Sequence, residues 1–361
     1  PLNWTAGLYF FHQYNPVKQA THFGKDAGVL GVPGTDFSTI NITRAKNTGI
    51  AVYGQVNYLL SKNLMFIGGI RYDYENKKLN VRGEYQPDGQ DVFVTTPDTA
   101  GTAHFGAVSP KIGLQYKFDD DHNIYTSYSR GFRTGGLTQL SSDPSQPPLY
   151  PFKPEYSNNF EAGVKNNFLS DRIHLNVSVF FTHVNNAQVP TLVLPDAITV
   201  TRNTGELTSK GAELELTVKP VKGFQLDYSA GFTDAQYKSL EVSQNGQSVK
   251  LDGKKQIFTP AGTSMLALQY SYPLNTRHSL QLIARGEWYY LGRQYFDLAN
   301  IIRQSPYQLF NARLGAGSDH FEVFCWFRNI TSKRYIEYAY DFGAVHLGSP
   351  RTFGITVKTI F

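Results

Sequence analysis

Nine histidines, one cysteine and a pair of serines in a tyrosine-rich stretch are where this 361-residue chain could carry covalent or metal chemistry. The histidines are scattered, and none stands in His-x-x-x-His or His/carboxylate spacing suited to a metal ion. The single Cys325 rules out an intramolecular disulfide framework and a cysteine-rich zinc site. Ser127 and Ser129 belong to a strand pattern, whereas a serine nucleophile would sit in a Gly-x-Ser-x-Gly elbow. The run Gly131 to Gly136, "GFRTGG", has the glycines of a phosphate cradle, but no helical pattern follows it, so it reads as a turn. The expectation is no enzyme, no bound metal and no resident cofactor.

A second polar set is more orderly. Ala212, Leu214, Leu216 and Val218 alternate with Gly211, Glu213, Glu215 and Thr217. Phe224, Leu226, Tyr228, Ala230 and Phe232 alternate with Gln225, Asp227, Ser229, Gly231 and Thr233. Leu280, Leu282, Ala284 and Trp288 oppose Gln281, Arg285 and Glu287, and Phe310, Ala312 and Leu314 oppose Asn311, Arg313 and Gly315. Side chains of a strand point alternately to its two faces, so each stretch has one apolar and one polar face. An antiparallel sheet on a soluble core gives this pattern too, but it needs a covering layer, and no segment reads as a cover helix. A barrel with lipid outside and a polar lumen needs no cover, and closure removes the open edges that hydrocarbon cannot tolerate. Turning an Arg or Lys toward lipid near the midplane would cost about 2–4 kcal/mol. Glu213, Glu215, Asp227, Arg285, Glu287 and Arg313 are therefore expected to point inward as a wall network.

The elements that would carry these residues repeat along the whole chain. Strand-like stretches are expected at about 4–14, 44–60, 64–85, 105–118, 124–133, 156–169, 173–184, 201–219, 224–237, 258–272, 280–296, 307–317, 321–340 and 351–361. Bare turns such as "SKN", "DDDHN", "SDR", "PVKG" and "SDH" alternate strictly with long loops rich in Gly, Ser, Pro and Thr. One loop holds Asn245-Gly246 between two short alternating runs, a hairpin signal. Antiparallel strands joined in sequence place every short turn at one end and every long loop at the other, as transmembrane barrels do. Tyr14, Tyr85, Tyr116, Tyr125, Tyr272, Trp288, Tyr290 and Tyr338 fall near strand ends, where interfacial girdles form. The totals agree: 23 Tyr, 25 Phe and 32 Gly suit strands and turns better than helices. No apolar run approaches the length of a transmembrane helix. The net charge of +5 is spread along the chain without a basic stripe, so nucleic acid is not an expected partner. The reading is an all-β, antiparallel, up-and-down transmembrane barrel. The chain lacks a signal-peptide pattern and enters a strand within a few residues of Pro1, which reads as part of a longer protein.

Four segments resemble the TonB-dependent receptors of the Gram-negative outer membrane. They are "IYTSYSRGFRTGG" (Ile124 to Gly136), the Pro-Glu and Glu-Ala-Gly-Val-Lys run of Lys153 to Val189, Asn203 to Tyr237, and the stretch from Asn329, Arg334 and Tyr335 to the end. Their order, ending at the last residue, makes the likeness specific, and it is similar in flavour to the iron–siderophore receptors, including the yersiniabactin and pesticin receptor group. The resemblance implies a twenty-two-stranded barrel around an N-terminal plug, coupled through TonB to the inner-membrane proton gradient. About fourteen strands match its C-terminal portion, so residues 1–361 are expected to be that portion, with the plug and first strands outside this sequence.

The family's activity implies the site. A ferric siderophore is usually anionic and rich in aromatic or hydroxylated groups, which calls for Arg and stacking rings at the extracellular mouth. Arg130, Phe132 and Arg133 lie at the upper end of a rising strand, Tyr150 follows in the next loop, and Tyr295, Arg303, Tyr340 and His346 occupy similar heights. Phe353, Ile355, Val357, Thr359 and Phe361 share a face of the last strand, which resembles the closing strand of outer-membrane barrels. Phe361 is the expected signal to the barrel assembly machinery, with the C-terminus periplasmic. The implied partners are a ferric siderophore, the TonB complex through the plug, outer-membrane lipid and the assembly machinery. An importer of cobalamin or a glycan, and a passive porin, are the alternative readings.

Overall fold

The computed structural model describes residues 2–32, 34–141, 147–193, 198–203, 205–244, 247–275, 279–340 and 343–359. Fourteen strands, each antiparallel to the next, form one continuous sheet in sequence order. They are β1 Leu2–Phe23, β2 Phe37–Leu59, β3 Leu64–Pro87, β4 Phe93–Lys117, β5 His122–Arg133, β6 Glu155–Phe168 and β7 Ile173–Asn185. The second half comprises β8 Gly205–Val218, β9 Phe224–Gln244, β10 Gly262–Asn275, β11 Leu280–Leu291, β12 Tyr307–Gly317, β13 Phe321–Arg328 and β14 Thr352–Thr359. Among the described residues the only helical turn is Ala27–Leu30.

Short connections at 60–63, 118–121, 169–172, 219–223 and 318–320 share one end, and the longer ones lie at the other together with 88–92, which is as short as 219–223, so short and long do not alternate strictly. Several expected loops are strand instead. β1 runs on to Phe23 and β2 begins at Phe37, so most of the stretch read as a loop between 15 and 43 is ladder. β3 and β4 likewise shorten the expected loop around Asp88-Gly89 to 88–92. A membrane strand needs about 9–11 residues, whereas β1 to β4 have 22, 23, 24 and 25. β3, expected at 64–85, is found at nearly that length, whereas in β1, β2 and β4 the expected strands end where apolar alternation ends. Backbone pairing has no such limit, and Asn, Thr, Gln and Lys continue the ladder in water.

Elsewhere the strands are shorter than expected. β13 stops at Arg328 rather than Tyr340, β11 at Leu291 rather than Phe296, and β10 starts at Gly262 rather than Phe258. Residues 201–203, expected at the start of the strand that became β8, belong instead to Ile198–Asn203, which pairs with Gln188–Val193 in a separate hairpin. Gly136–Leu137 with Pro151–Phe152, Gln294–Tyr295 with Arg303–Gln304, and Ile336–Ala339 with Val345–Leu347 make three more small hairpins. Glu241–Gln244 pairs with Gln247–Lys250 as the hairpin reading requires, although Asn245 and Gly246 lie outside the described residues.

Registers fix the faces. Phe160, Phe181, Val179, Phe232, Leu268, Tyr272, Leu282, Phe310, Leu314, Phe353, Ile355 and Val357 are all exposed on one side, an apolar belt across the sheet. Tyr14, Tyr116, Tyr272, Trp288 and Tyr290 belong to this face. Three residues expected in a girdle do not. Tyr125 is on the polar face, where its hydroxyl donates to Glu161 Oε1 at 2.6 Å. Tyr85 packs at a tilt on Phe37, which stacks on Phe23, against a small buried cluster at the far end of β1 to β3. Tyr338 lies in the small hairpin after β13, stacked on Phe258. These aromatic residues pack against protein at strand ends, a contact that spacing alone does not separate from a girdle.

Candidate functional site

The charged residues singled out by alternation share the polar face, opposite the apolar belt. Three of them form one network. Arg285 Nε donates to Glu287 Oε1 at 2.7 Å, and its Nη1 lies 3.7 Å from Asp227 Oδ2. Thr217 and Gln225 donate to Asp227 at 2.9 Å, and the Tyr289 hydroxyl donates to Glu287 Oε2 at 3.0 Å. Glu215 accepts from Asn176 Nδ2 at 3.2 Å, while Glu213 stands between Ser178 and Gly231. Arg313 is directly opposite Arg285, a like-charge pair that would destabilise the sheet if both pointed at one spot. They diverge: Arg285 turns to its carboxylates, and Arg313 lies 5.1 Å over the ring of Phe324. Arg285, Glu287, Arg313, Phe324, Trp326 and Arg328 line a cleft of about 540 Å³ on this face.

The residues expected at the extracellular mouth fall into three groups. Arg130 and Phe132 share the face of Ile124 and Tyr128, with the belt. The Arg130 guanidinium lies 4.4 Å over the Tyr156 ring, and the Phe132 ring is 6.4 Å from it. Arg133 is on the opposite, polar face. It lines a cleft of about 550 Å³ with Asn15, Asn47, Lys77, Phe152 and Gln188, between the upper parts of β1 to β3 and the connection after β5. Tyr150 is exposed beside this region, its carbonyl and amide bonded to the Thr138 amide and hydroxyl at 2.9 Å each.

Four others meet in a separate assembly of small hairpins. Tyr295 pairs with Arg303, and the Tyr295 carbonyl accepts from the Phe258 amide at 2.8 Å. Phe258 stacks on Tyr338 at 5.0 Å, and Tyr338 meets Tyr340 edge-on at 4.7 Å. His346, opposite Tyr338, sits 3.3 Å from Glu337. The Ile336 amide donates to Gln304 Oε1 at 2.7 Å, tying the two hairpins together. Phe361 lies outside the described residues.

The residues that hold the Arg133 cleft together had no signal in the sequence. Gln188 is 6% exposed and its amide nitrogen donates to the carbonyls of Thr134 and Lys153 at 2.9 and 3.0 Å. Its backbone amide donates to Glu155 Oε2 at 2.6 Å. Asn203 Nδ2 donates to the carbonyls of Lys153 and Asn186, so the connections after β5 and β7 are bound to one another. Gly135 and Gly136 pass against Phe105 and Phe152 where a Cβ would collide, so the "GFRTGG" glycines serve close packing beside the cleft. Asn329, from the fourth resembling segment, is buried and closes its turn by bonds to Lys333 and Ser349. Among the described residues no group of three His, Cys, Asp or Glu could hold a metal ion.

Fourteen sequential antiparallel strands, an exposed apolar belt on one face and charged clefts on the other are the wall of a membrane β-barrel of the receptor type. Residues 1–330 match the family model described as TonB dependent receptor-like, beta-barrel, and the chain belongs to that family. Barrels of this family are outer-membrane proteins. The pesticin receptor of Yersinia pestis is 23% identical over 323 residues, covering 86% of this chain and 44% of the receptor. The ferrioxamine receptor of Yersinia enterocolitica is 24% identical over 298 residues, 78% of this chain and 38% of the receptor. The crystal structure of the ferric yersiniabactin uptake receptor FyuA from Yersinia pestis superposes with a TM-score of 0.78 at 20% identity, covering 100% of this chain and 51% of that one. The siderophore receptor PiuA from Acinetobacter baumannii gives 0.76 at 15% identity, with 99% and 52% covered. At these identities the superpositions speak for the fold. The chain spans less than half the length of the pesticin and ferrioxamine receptors.

Proposed function

We propose that this chain is the C-terminal portion of the barrel of a TonB-dependent importer of a ferric siderophore. The single observation that carries the reading is the cleft at Arg133 and Lys77 on the polar face of a receptor-family barrel. It lies at the long-connection end and combines cations, amide side chains and an aromatic ring, a donor set that fits an anionic, oxygen-rich complex. The names of two similar proteins, receptors for ferrioxamine and ferric yersiniabactin, support the same ligand class.

In this reading the polar face is the lumen, the long connections are extracellular and β14 descends to a periplasmic C-terminus. The barrel encloses an N-terminal plug, and the second cleft, with Arg285, Arg313 and Trp326, belongs to the surface that faces it. Ligand binds at the mouth, and TonB pulls on the plug to release it inward. Arg133 and Tyr150 act at the first cleft, and Tyr295, Arg303, Tyr340 and His346 form a second group of loop contacts. Phe361 serves as the assembly signal on the strand that closes the barrel.

The test is uptake of radiolabelled iron by iron-starved cells that depend on the full-length protein, across a panel of ferric siderophores. Saturable uptake of one complex, abolished by loss of TonB or of the proton gradient, is expected. Uptake that persists without TonB, or a permanently open pore in electrical recordings, would establish a porin instead. Transport of cobalamin or a glycan alone would reassign the ligand.

A further inference from the structure

The outer, apolar side of β1 to β4 changes character abruptly above the belt. Phe10, Ile50 and Tyr74 form one exposed row across β1, β2 and β3. The next row holds His12, Thr48, Asn76 and His104, the one above it Tyr14, Lys46 and Lys78, and the two after that bring Arg44, Lys18 and Arg82. Lys46 and Lys78 are direct cross-strand partners, both exposed. Like charges directly opposite one another weaken a sheet. No carboxylate relieves this pair among the described residues, and Lys46 has only the Tyr14 ring, 5.6 Å away. Two carboxylates adjoin the patch. Asp98 accepts from Arg44 at 3.0 Å and Arg82 at 3.2 Å, and Glu84 accepts from Arg82 at 2.7 Å. Five cations against two acids leave the patch positive. On β8, by contrast, Lys210 faces the carboxylate of Asp234 at 3.8 Å.

We propose that this patch binds the phosphate groups of an anionic lipid headgroup in the outer leaflet. The height fits: the cations begin two residues, one same-face rung, above His12 and Asn76 and two rungs above the belt. Rungs are about 7 Å apart, which places the charges in the headgroup layer rather than the hydrocarbon. The direction also fits, because the register sets these positions on the lipid side of the wall, although Lys78 also borders the Arg133 cleft. A phosphate between Lys46 and Lys78 turns their repulsion into two charge-assisted bonds. The inference rests on the membrane placement of the barrel and not on what it imports.

The full-length protein in detergent is titrated with bisphosphorylated lipid A, its dephosphorylated counterpart and inorganic phosphate, with binding read by native mass spectrometry. Wild type should hold the bisphosphorylated lipid about tenfold or more tightly than the dephosphorylated one. The Lys46→Gln/Lys78→Gln pair should erase that preference, and Lys46→Arg/Lys78→Arg should keep it. The variants must retain the heat-modifiable mobility of a folded barrel. Equal binding of both lipids by wild type, or an unchanged preference in the glutamine pair, would overturn the proposal. So would competition by inorganic phosphate at the lipid's own concentration, which would make the site one for a free anion. None of these readouts depends on transport, so a failure of the import reading leaves this result interpretable.

Discussion

Single residues on the polar face differ in what they hold. Arg285 joins Asp227 and Glu287, all about a quarter exposed or less. Arg285→Ala would leave two carboxylates without their cation, and a loss of about 1–2 kcal/mol is expected. Arg313, which lies on a ring, should cost less when truncated. Midpoints of heat-induced mobility shift for the two variants of the full-length protein would compare them directly. The two faces at the end of β5 give a sharper contrast. Arg133→Ala should weaken ferric siderophore binding by about tenfold, the loss of one charge-assisted contact. Arg130→Ala should leave it unchanged, because Arg130 sits on the other face against Tyr156. Equal effects in a binding titration would remove the Arg133 cleft from the site. In the turn 118–121, Asp119 accepts from the His122 ring and from the Asp121 and His122 amides, which holds its carboxyl below the usual range. A carboxylate pKa lowered by folding contributes stability above its unfolded value, about 4, and loses it as pH falls through the folded value. The Asp119-dependent part of the NMR amide shifts of Asp121 and His122 should therefore appear only below that pH, and Asp119→Asn should remove that part.

At the scale of elements, glycine and aromatic residues cooperate across neighbouring strands. The Trp326 ring of β13 lies over Gly354 of β14, and the Tyr125 ring of β5 lies over Gly163 of β6, both on the polar face. The missing Cβ lets each ring lie flat along the wall instead of projecting from it. Gly354→Leu should push the Trp326 ring away from β14 at a cost of about 1–3 kcal/mol. Less folded protein in the outer membrane, with normal synthesis, is the outcome to look for. The connections after β5 and β7 depend on Gln188 in a similar way, since its side chain bonds the ends of one connection while its backbone lies in the other. Gln188→Ala should speed proteolysis within 134–154, leaving the strands intact by limited digestion.

For the whole molecule, the sheet's order has β1 at one end and β14 at the other. A barrel in lipid requires each edge to find a partner, because unpaired backbone groups in hydrocarbon cost several kcal/mol each. In the proposed assembly the remaining strands of the receptor supply those partners and complete the wall. Deleting Phe361 from the full-length protein should then reduce its surface level, and unchanged levels would make the ending incidental. The basic patch on β1 to β4 and the cleft at Arg133 lie on opposite faces at neighbouring heights, so one wall would meet lipid and ligand independently.

Alternation of residue types, read from the chain alone, determined the class of fold, the number of strands in the sheet and the charged face of 211–218, 224–233, 280–288 and 310–315. Those are one-dimensional properties: a strand's side chains alternate by covalent geometry, and lipid penalises a misplaced charge at every step. The tertiary structure decided where strands end, because a ladder continues in water after hydropathy has fallen silent, as in β1, β2 and β4. It also decided which distant residues meet. Arg130 and Arg133 are three residues apart, and it is the unbroken register of β5, with no bulge between them, that fixes them on opposite faces. Gln188 gives no local sign of joining two connections, since its partners are backbone carbonyls far along the chain. Lys46 and Lys78 are unremarkable lysines until the register of β2 and β3 sets them side by side.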